Sequence, residues 1–84
     1  MKPQLESVST QLLTYLKDSL IEEGTVFDEL SSLKSLGLDS FGFLELILFL
    51  ERTFSSPFPL SALTPEASQT VRSLSAAYID AAFR

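Results

Sequence analysis

The sequence predicts an all-α protein, a small four-helix bundle with a long loop between helices one and two and a short helix three. Two observations predict it. Stretches with apolar residues at three- and four-residue spacing, the repeat of an amphipathic helix, recur along the chain and are separated by glycine and proline stops. The 84 residues also contain no cysteine, so no disulfide supports the core and the fold has to rest on apolar helix packing. With 45% hydrophobic residues and a mean hydropathy of +0.24, the chain has the apolar content for an ordered core. We expect one domain spanning residues 1–84, without internal repeats or low-complexity runs.

Helix one is expected over Gln4 to Glu23, where Leu5, Val8, Leu12, Tyr15, Leu16 and Leu20 share a face. Pro3 is tolerated near its start, and Gly24 is a natural stop. From Thr25 to Asp39 the apolar residues Val26, Phe27, Leu30, Leu33, Leu36 and Leu38 lose periodicity among serines, acids and Gly37. That pattern suits a long loop pinned by its leucines, with one helical turn around Glu29 to Lys34.

Helix two runs from Ser40 to Phe54, capped by Asp39 or Ser40, with only Gly42 weakening its propensity. It carries two apolar stripes: Phe43, Leu46, Ile47, Leu50 and Phe54 on a core-facing period, and Phe41, Leu44 and Leu48 on a second face. A chain of this size cannot bury a helix all round, so the second stripe is expected to meet a partner or cargo unless it packs as ordinary core. Pro57 and Pro59 break the helix. Thr64, Pro65 and Glu66 then give the start signals of a short helix three. From about Thr70, Val71, Leu74, Ala77, Tyr78, Ala81 and Ala82 mark the final helix.

Net charge is −5, with a sequence pI near 4.4. Nucleic acid and anionic membrane surfaces would repel such a chain, so neither is an expected partner and a basic protein surface is. Between Asp18 and Glu51 lie Glu22, Glu23, Asp28, Glu29, Asp39 and Glu45, with Lys34 the only base. This run serves either solubility or steering toward basic docking patches. The N-terminus has no signal-peptide core and the longest apolar run, Leu46 to Leu50, is too short to span a bilayer, so a cytoplasmic protein is expected.

Catalysis by the chain itself finds little support. Without histidine or cysteine, the Ser/His and Cys/His arrangements and the commonest zinc ligands are missing. The adjacent acids Glu22 and Glu23, and Asp28 and Glu29, read as solvated surface charge, and Gly24, Gly37 and Gly42 are too dispersed for a phosphate loop. Ser40 remains, at a helix N-terminus where backbone N–H groups favour an anion such as a phosphate ester.

The stretch LGLDSFGFLELILFLERTF resembles the modification motif of acyl carrier proteins, with Leu36, Gly37, Asp39, Ser40, Phe41, Glu45 and Leu46 matching, and the order of elements agrees over nearly the whole length. The resemblance implies that Ser40 is the attachment residue for 4′-phosphopantetheine, delivered from coenzyme A by a separate phosphopantetheinyl transferase with a divalent metal. Activation in trans would explain a reactive serine without histidine, and the arm would bring the thiol that the chain lacks. It further implies that Asp39 presents Ser40 and helps transferase recognition, and that Phe41, Leu44, Glu45 and Leu48 face partners.

The chain departs from fatty-acid carriers at Gly42, Phe43, Phe49, Arg52 and Thr53, where acids or small residues are common. Phe43, Phe49 and Phe54 would fill space that a long acyl chain needs. The run Asp39-Ser40-Phe41-Gly42 followed by Glu45-Leu46 is similar to the D-alanyl and other aminoacyl carriers, while Leu38 replaces the second glycine of peptide-synthetase carriers. The expectation is therefore a monomeric stand-alone carrier of a thioester-bound acyl or aminoacyl group, served by a loading ligase and a downstream transferase. The rival is a noncovalent helical interaction module whose second helix binds a partner groove and whose Ser40 is only a helix cap.

Overall fold

The computed structural model describes residues 2–83. Three α-helices order the chain: α1 (Leu5–Tyr15), α2 (Ser40–Phe54) and α3 (Val71–Ala82). A π-helical turn, Leu16–Leu20, extends α1, and a 3-10 turn, Leu60–Ala62, lies between α2 and α3. No strand occurs among the described residues; the nearest thing is an isolated antiparallel bridge between Ser32 and Thr70.

The core joins one stripe from each helix: Val8, Leu12 and Leu16 from α1 and its extension, Leu46, Ile47 and Leu50 from α2, and Val71, Leu74, Tyr78 and Ile79 from α3. Leu33 from the loop and Phe58 from the segment after α2 complete it. α1 and α3 approach closely, whereas the α2 backbone stands farther from both. The Tyr15 and Phe49 rings stack at 4.4 Å, and Tyr78 meets Phe54 at 6.0 Å. Phe49 and Phe54 are half-buried in these pairs.

Helix one ends earlier and differently from the expected Gln4–Glu23. After Tyr15 the bonding widens, with Ile21 donating to the Leu16 carbonyl at 2.8 Å, five residues back. The extra residue in this turn brings both Leu20 and Ile21 against the core. Glu22 to Thr25 then form a separate turn, with Gly24 at φ +92°.

The short third helix, and with it the four-helix bundle, is not formed. Thr64 does cap a turn, its Oγ1 accepting from Ala67 N at 3.1 Å, and Ser68 N reaches the Thr64 carbonyl at 3.2 Å. The turn goes no further because the chain is engaged elsewhere. Leu33 N donates to the Gln69 carbonyl at 2.9 Å, and Thr70 takes extended geometry (φ −137°, ψ 168°) to pair with Ser32. Thr70 then starts α3 through a capping box with Ser73.

These contacts fix the loop that leads into α2. Arg72 N donates to the Glu29 carbonyl at 3.0 Å, and the Arg72 guanidinium pairs with the Glu29 carboxylate at 3.0 Å. At the other end of α2, Ser55 adopts φ 55°, and the Glu51 carboxylate accepts from Phe58 N at 2.6 Å, seating Phe58 in the core.

Candidate functional site

The start of α2 is built by the turn before it. Residues 32–36 form one helical turn, with Leu36 N donating to the Ser32 carbonyl at 3.1 Å. It ends in a pair of nested bonds, Gly37 N to Lys34 O at 3.1 Å and Leu38 N to Leu33 O at 3.3 Å, the pattern of a Schellman cap. Such a cap needs a left-handed residue, and Gly37 provides it at φ +87°. The expected loop turn therefore exists, displaced a few residues beyond Glu29. The signal was present in the sequence: a leucine-bounded turn followed by glycine marks a helical C-terminus.

A Cβ on Gly37 would meet nothing within 4 Å, so its role is purely conformational. Gly37→Ala is expected to cost about 1 kcal/mol, the penalty of placing an L-residue in the left-handed region. Gly37→Asn, which tolerates that region better, should lose less. Urea denaturation midpoints check the order; an alanine variant as stable as wild type would show that the turn re-forms without the cap.

Beyond the cap, Asp39 takes extended geometry and its Oδ1 accepts from Gly42 N at 2.8 Å. Its carbonyl accepts from Phe43 N at 2.9 Å. The N-cap is thus Asp39, and Ser40 is the first helical residue. Gly42 is buried because its Cα sits beside Leu38; a Cβ there would lie 3.2 Å from Leu38 Cγ. Ser40 is exposed, and its hydroxyl makes no hydrogen bond among the described residues. The rival's premise of a capping serine is therefore corrected: the short Asp39 carboxylate reaches the third helical N–H and takes that role.

Ser40 opens onto a groove of about 320 Å³ lined by Leu33, Lys34, Leu38, Asp39, Phe43 and Ser68. Sequence reasoning missed Lys34 and Ser68 in this setting, because the Ser32–Thr70 bridge that brings residues 64–70 here is a long-range contact. A larger groove of about 880 Å³ follows the polar flank of α1, lined by residues such as Gln4, Ser7, Thr10 and Gln11, far from this helix start in sequence and without a comparable site.

The second stripe of α2 faces outward. Phe41 is 69% exposed, Leu44 51% and Leu48 45%, which excludes ordinary core packing for all three. Phe43, expected on the core face, is half-buried, packs against the core and also lines the groove. Glu45 is half-buried and accepts from the Tyr15 hydroxyl at 3.1 Å. Burial first, then this bond and the Glu45 charge, push the Tyr15 hydroxyl above its ordinary pKa, with Arg52 acting weakly the other way. In the acidic run, Glu29 is ion-paired with Arg72, and Asp28 closes a turn by accepting from Leu30 N at 2.9 Å. Asp18, Glu22 and Glu23 stand exposed at the end of helix one.

The fold and site define a class: a small helical domain that presents one serine, free of internal bonds, at a capped helix start. The chain belongs to the phosphopantetheine attachment site family, whose profile matches residues 10–78, most of its length. It is a phosphopantetheine-binding carrier protein, and 4′-phosphopantetheine is the covalently attached cofactor of this domain. The chain is also similar to the carrier protein in a crystal structure of Bradyrhizobium japonicum glycine:[carrier protein] ligase, complexed with its cognate carrier protein and an analogue of glycyl adenylate. The two share 26% identity, with 83% of this chain and 87% of that one covered and a TM-score of 0.59. No curated protein matches the chain. No helix among the described residues is long and apolar enough to cross a membrane.

The residues at the α2 start fit the cofactor. An attached group needs an accessible oxygen, and Ser40 has one that spends no bond on the fold. The phosphate of the arm needs an electropositive setting, and the first turn of a 15-residue helix provides one.

Proposed function

We propose that the chain is a stand-alone aminoacyl or short-acyl carrier whose Ser40 bears the 4′-phosphopantetheine arm. The observation that carries this reading is the unbonded, exposed Ser40 hydroxyl at the start of α2, within the residues that the family profile covers. The arm supplies the thiol on which cargo is held as a thioester. The Ser40 oxygen, losing its proton, forms the phosphodiester when a phosphopantetheinyl transferase breaks the pyrophosphate of coenzyme A and adenosine 3′,5′-bisphosphate leaves. Asp39 holds the first turn of α2 through Gly42 N and keeps the serine facing outward.

Partner recognition falls to the exposed Phe41, Leu44 and Leu48, apolar anchors of the size that dominate small transient contacts. Glu45 lies on the same helix and contributes its remaining oxygen at the edge of that surface. An aminoacyl-loading ligase and a downstream transferase are the partners we assign, and the chain itself catalyses nothing. Two features support an aminoacyl or short cargo. The similar carrier was crystallised with a glycine ligase, and Phe49 and Phe54 occupy the space beside α2 in ring pairs with Tyr15 and Tyr78. We assign the carrier to the cytoplasm, as a monomer.

Intact mass after incubation with coenzyme A, magnesium and a promiscuous phosphopantetheinyl transferase tests the reading. The expected result is a gain of one phosphopantetheinyl group in the folded chain. No gain, with folding verified by circular dichroism, would leave the exposed α2 stripe as the functional surface of a noncovalent interaction module.

A further inference from the structure

The attached arm introduces a new charge into an acidic region. A phosphodiester on Ser40 would keep one negative charge at neutral pH, in a chain already at −5. Its immediate carboxylate neighbour is Asp39, which lines the same groove. Like charges this close repel, so the loaded state needs a counter-charge beyond the helix start.

One cation is placed to supply it. Lys34 lines the groove together with Ser40. Its backbone is held by the Schellman cap, since its carbonyl accepts from Gly37 N at 3.1 Å, and the neighbouring Leu33 N is tied to Gln69 O at 2.9 Å. The side chain is exposed and uncommitted: among the described residues the ion pair present is Arg72 with Glu29. Three other cations are poorly placed. Arg72 is engaged by Glu29, Arg52 is twelve residues along α2 and so about 18 Å up the axis from Ser40, and Lys17 sits on the turn after α1.

We propose that Lys34 is a positioning residue for the arm, pairing with the Ser40 phosphodiester and directing the first segment of the arm over the groove floor of Leu33, Leu38 and Phe43. The inference rests on Ser40 attachment and adds a residue that acts only once the arm is in place. In the unloaded chain Lys34 has no partner to lose among the described residues, so its removal should be silent there. This separates it from a structural lysine.

The test compares thermal unfolding of unloaded and loaded forms of the wild type, Lys34→Gln, Lys34→Arg and Lys17→Gln at low salt, with intact mass verifying loading. An exposed pair of this kind shifts the midpoint of a chain this size by about 1–8 °C. Lys34→Gln should therefore lose about that much of the shift that loading produces in the wild type, while its unloaded midpoint stays unchanged. Lys34→Arg and Lys17→Gln should match the wild type, and half-molar salt should erase the difference. Equal loading shifts in Lys34→Gln and wild type, with both fully loaded, overturn the role of Lys34 and leave the attachment reading standing. A wild-type chain that never gains the arm overturns both.

Discussion

Ser40→Ala is expected to abolish arm attachment completely while changing folding free energy by less than about 0.5 kcal/mol. The two halves of this result have separate physical origins. Attachment needs the hydroxyl oxygen, and alanine has none. Stability does not need it, because the Ser40 side chain is exposed and unbonded, and alanine is at least as good a helix former at this position. Intact mass after transferase treatment reads the first half and the urea midpoint reads the second. Loading that persists in the alanine variant would move the attachment site to another hydroxyl, and a loss of 1 kcal/mol or more would show that the serine supports the helix start after all.

Its neighbour should behave in the opposite way. Asp39→Ala leaves Gly42 N without its acceptor and should cost about 1 kcal/mol, within the usual range for a lost N-cap, while keeping the serine proposed to accept the arm. Asp39→Asn keeps the cap but removes the charge. If the carboxylate also serves transferase recognition, the asparagine variant will fold like wild type and load more slowly. Adjacent residues with dissociable effects, one on chemistry and one on stability, are what distinguish a presented serine from a capping serine.

The parts of this arrangement that were legible in the sequence are those set by local chemistry. The bounds of α2 followed from Asp39 and Ser40 at one side and Pro57 at the other, and its outward stripe followed from the spacing of Phe41, Leu44 and Leu48. What failed was set by contacts between distant residues. Thr64, Pro65 and Glu66 hold every local signal for a helix, yet the segment stops after one turn because Gln69 and Thr70 pair with Leu33 and Ser32. The bond that Glu45 accepts from Tyr15 was likewise not legible, because it spans 30 residues that no periodicity connects. Phe58 stands between the two prolines that break the helix, where no periodicity marks it as core, yet it is only 4% exposed. Its N–H donates to the Glu51 carboxylate, a pairing invisible until α2 and the returning chain are both in place.

The largest effect on stability is expected at Tyr78. It is fully buried on α3, and its ring meets Phe58 at 5.1 Å, Phe83 at 5.8 Å and Phe54 at 6.0 Å. The hydroxyl donates to Ser56 O at 2.8 Å, with Leu50 O at 3.3 Å, so this one side chain ties α3 to the end of α2 and the segment that follows. Tyr78→Ala should cost about 3–5 kcal/mol, as truncation of a large core aromatic does, a sizeable share of the roughly 5–15 kcal/mol that holds a domain together. Tyr78→Phe keeps the rings packed and removes only the hydroxyl; leaving the Ser56 carbonyl without its buried donor should cost about 1–2 kcal/mol.

The pH dependence gives an independent check on the same group. Burial, and secondarily the Glu51 charge, push the Tyr78 hydroxyl above its ordinary pKa of 10.0. The folded value thus exceeds the unfolded one, so the stabilisation is complete below about pH 10 and is lost as pH rises through the folded value. Tyr78→Phe should therefore lower the urea midpoint at neutral pH and flatten part of the alkaline fall, leaving the part due to Tyr15. It should not impair loading of Ser40, because Leu50 lies ten residues, about 15 Å, along α2 from the site. A phenylalanine variant with unchanged stability and an unchanged alkaline limb would mean that the hydroxyl is exchanged for water without cost, and the tie between α3 and α2 would then rest on the aromatic rings alone.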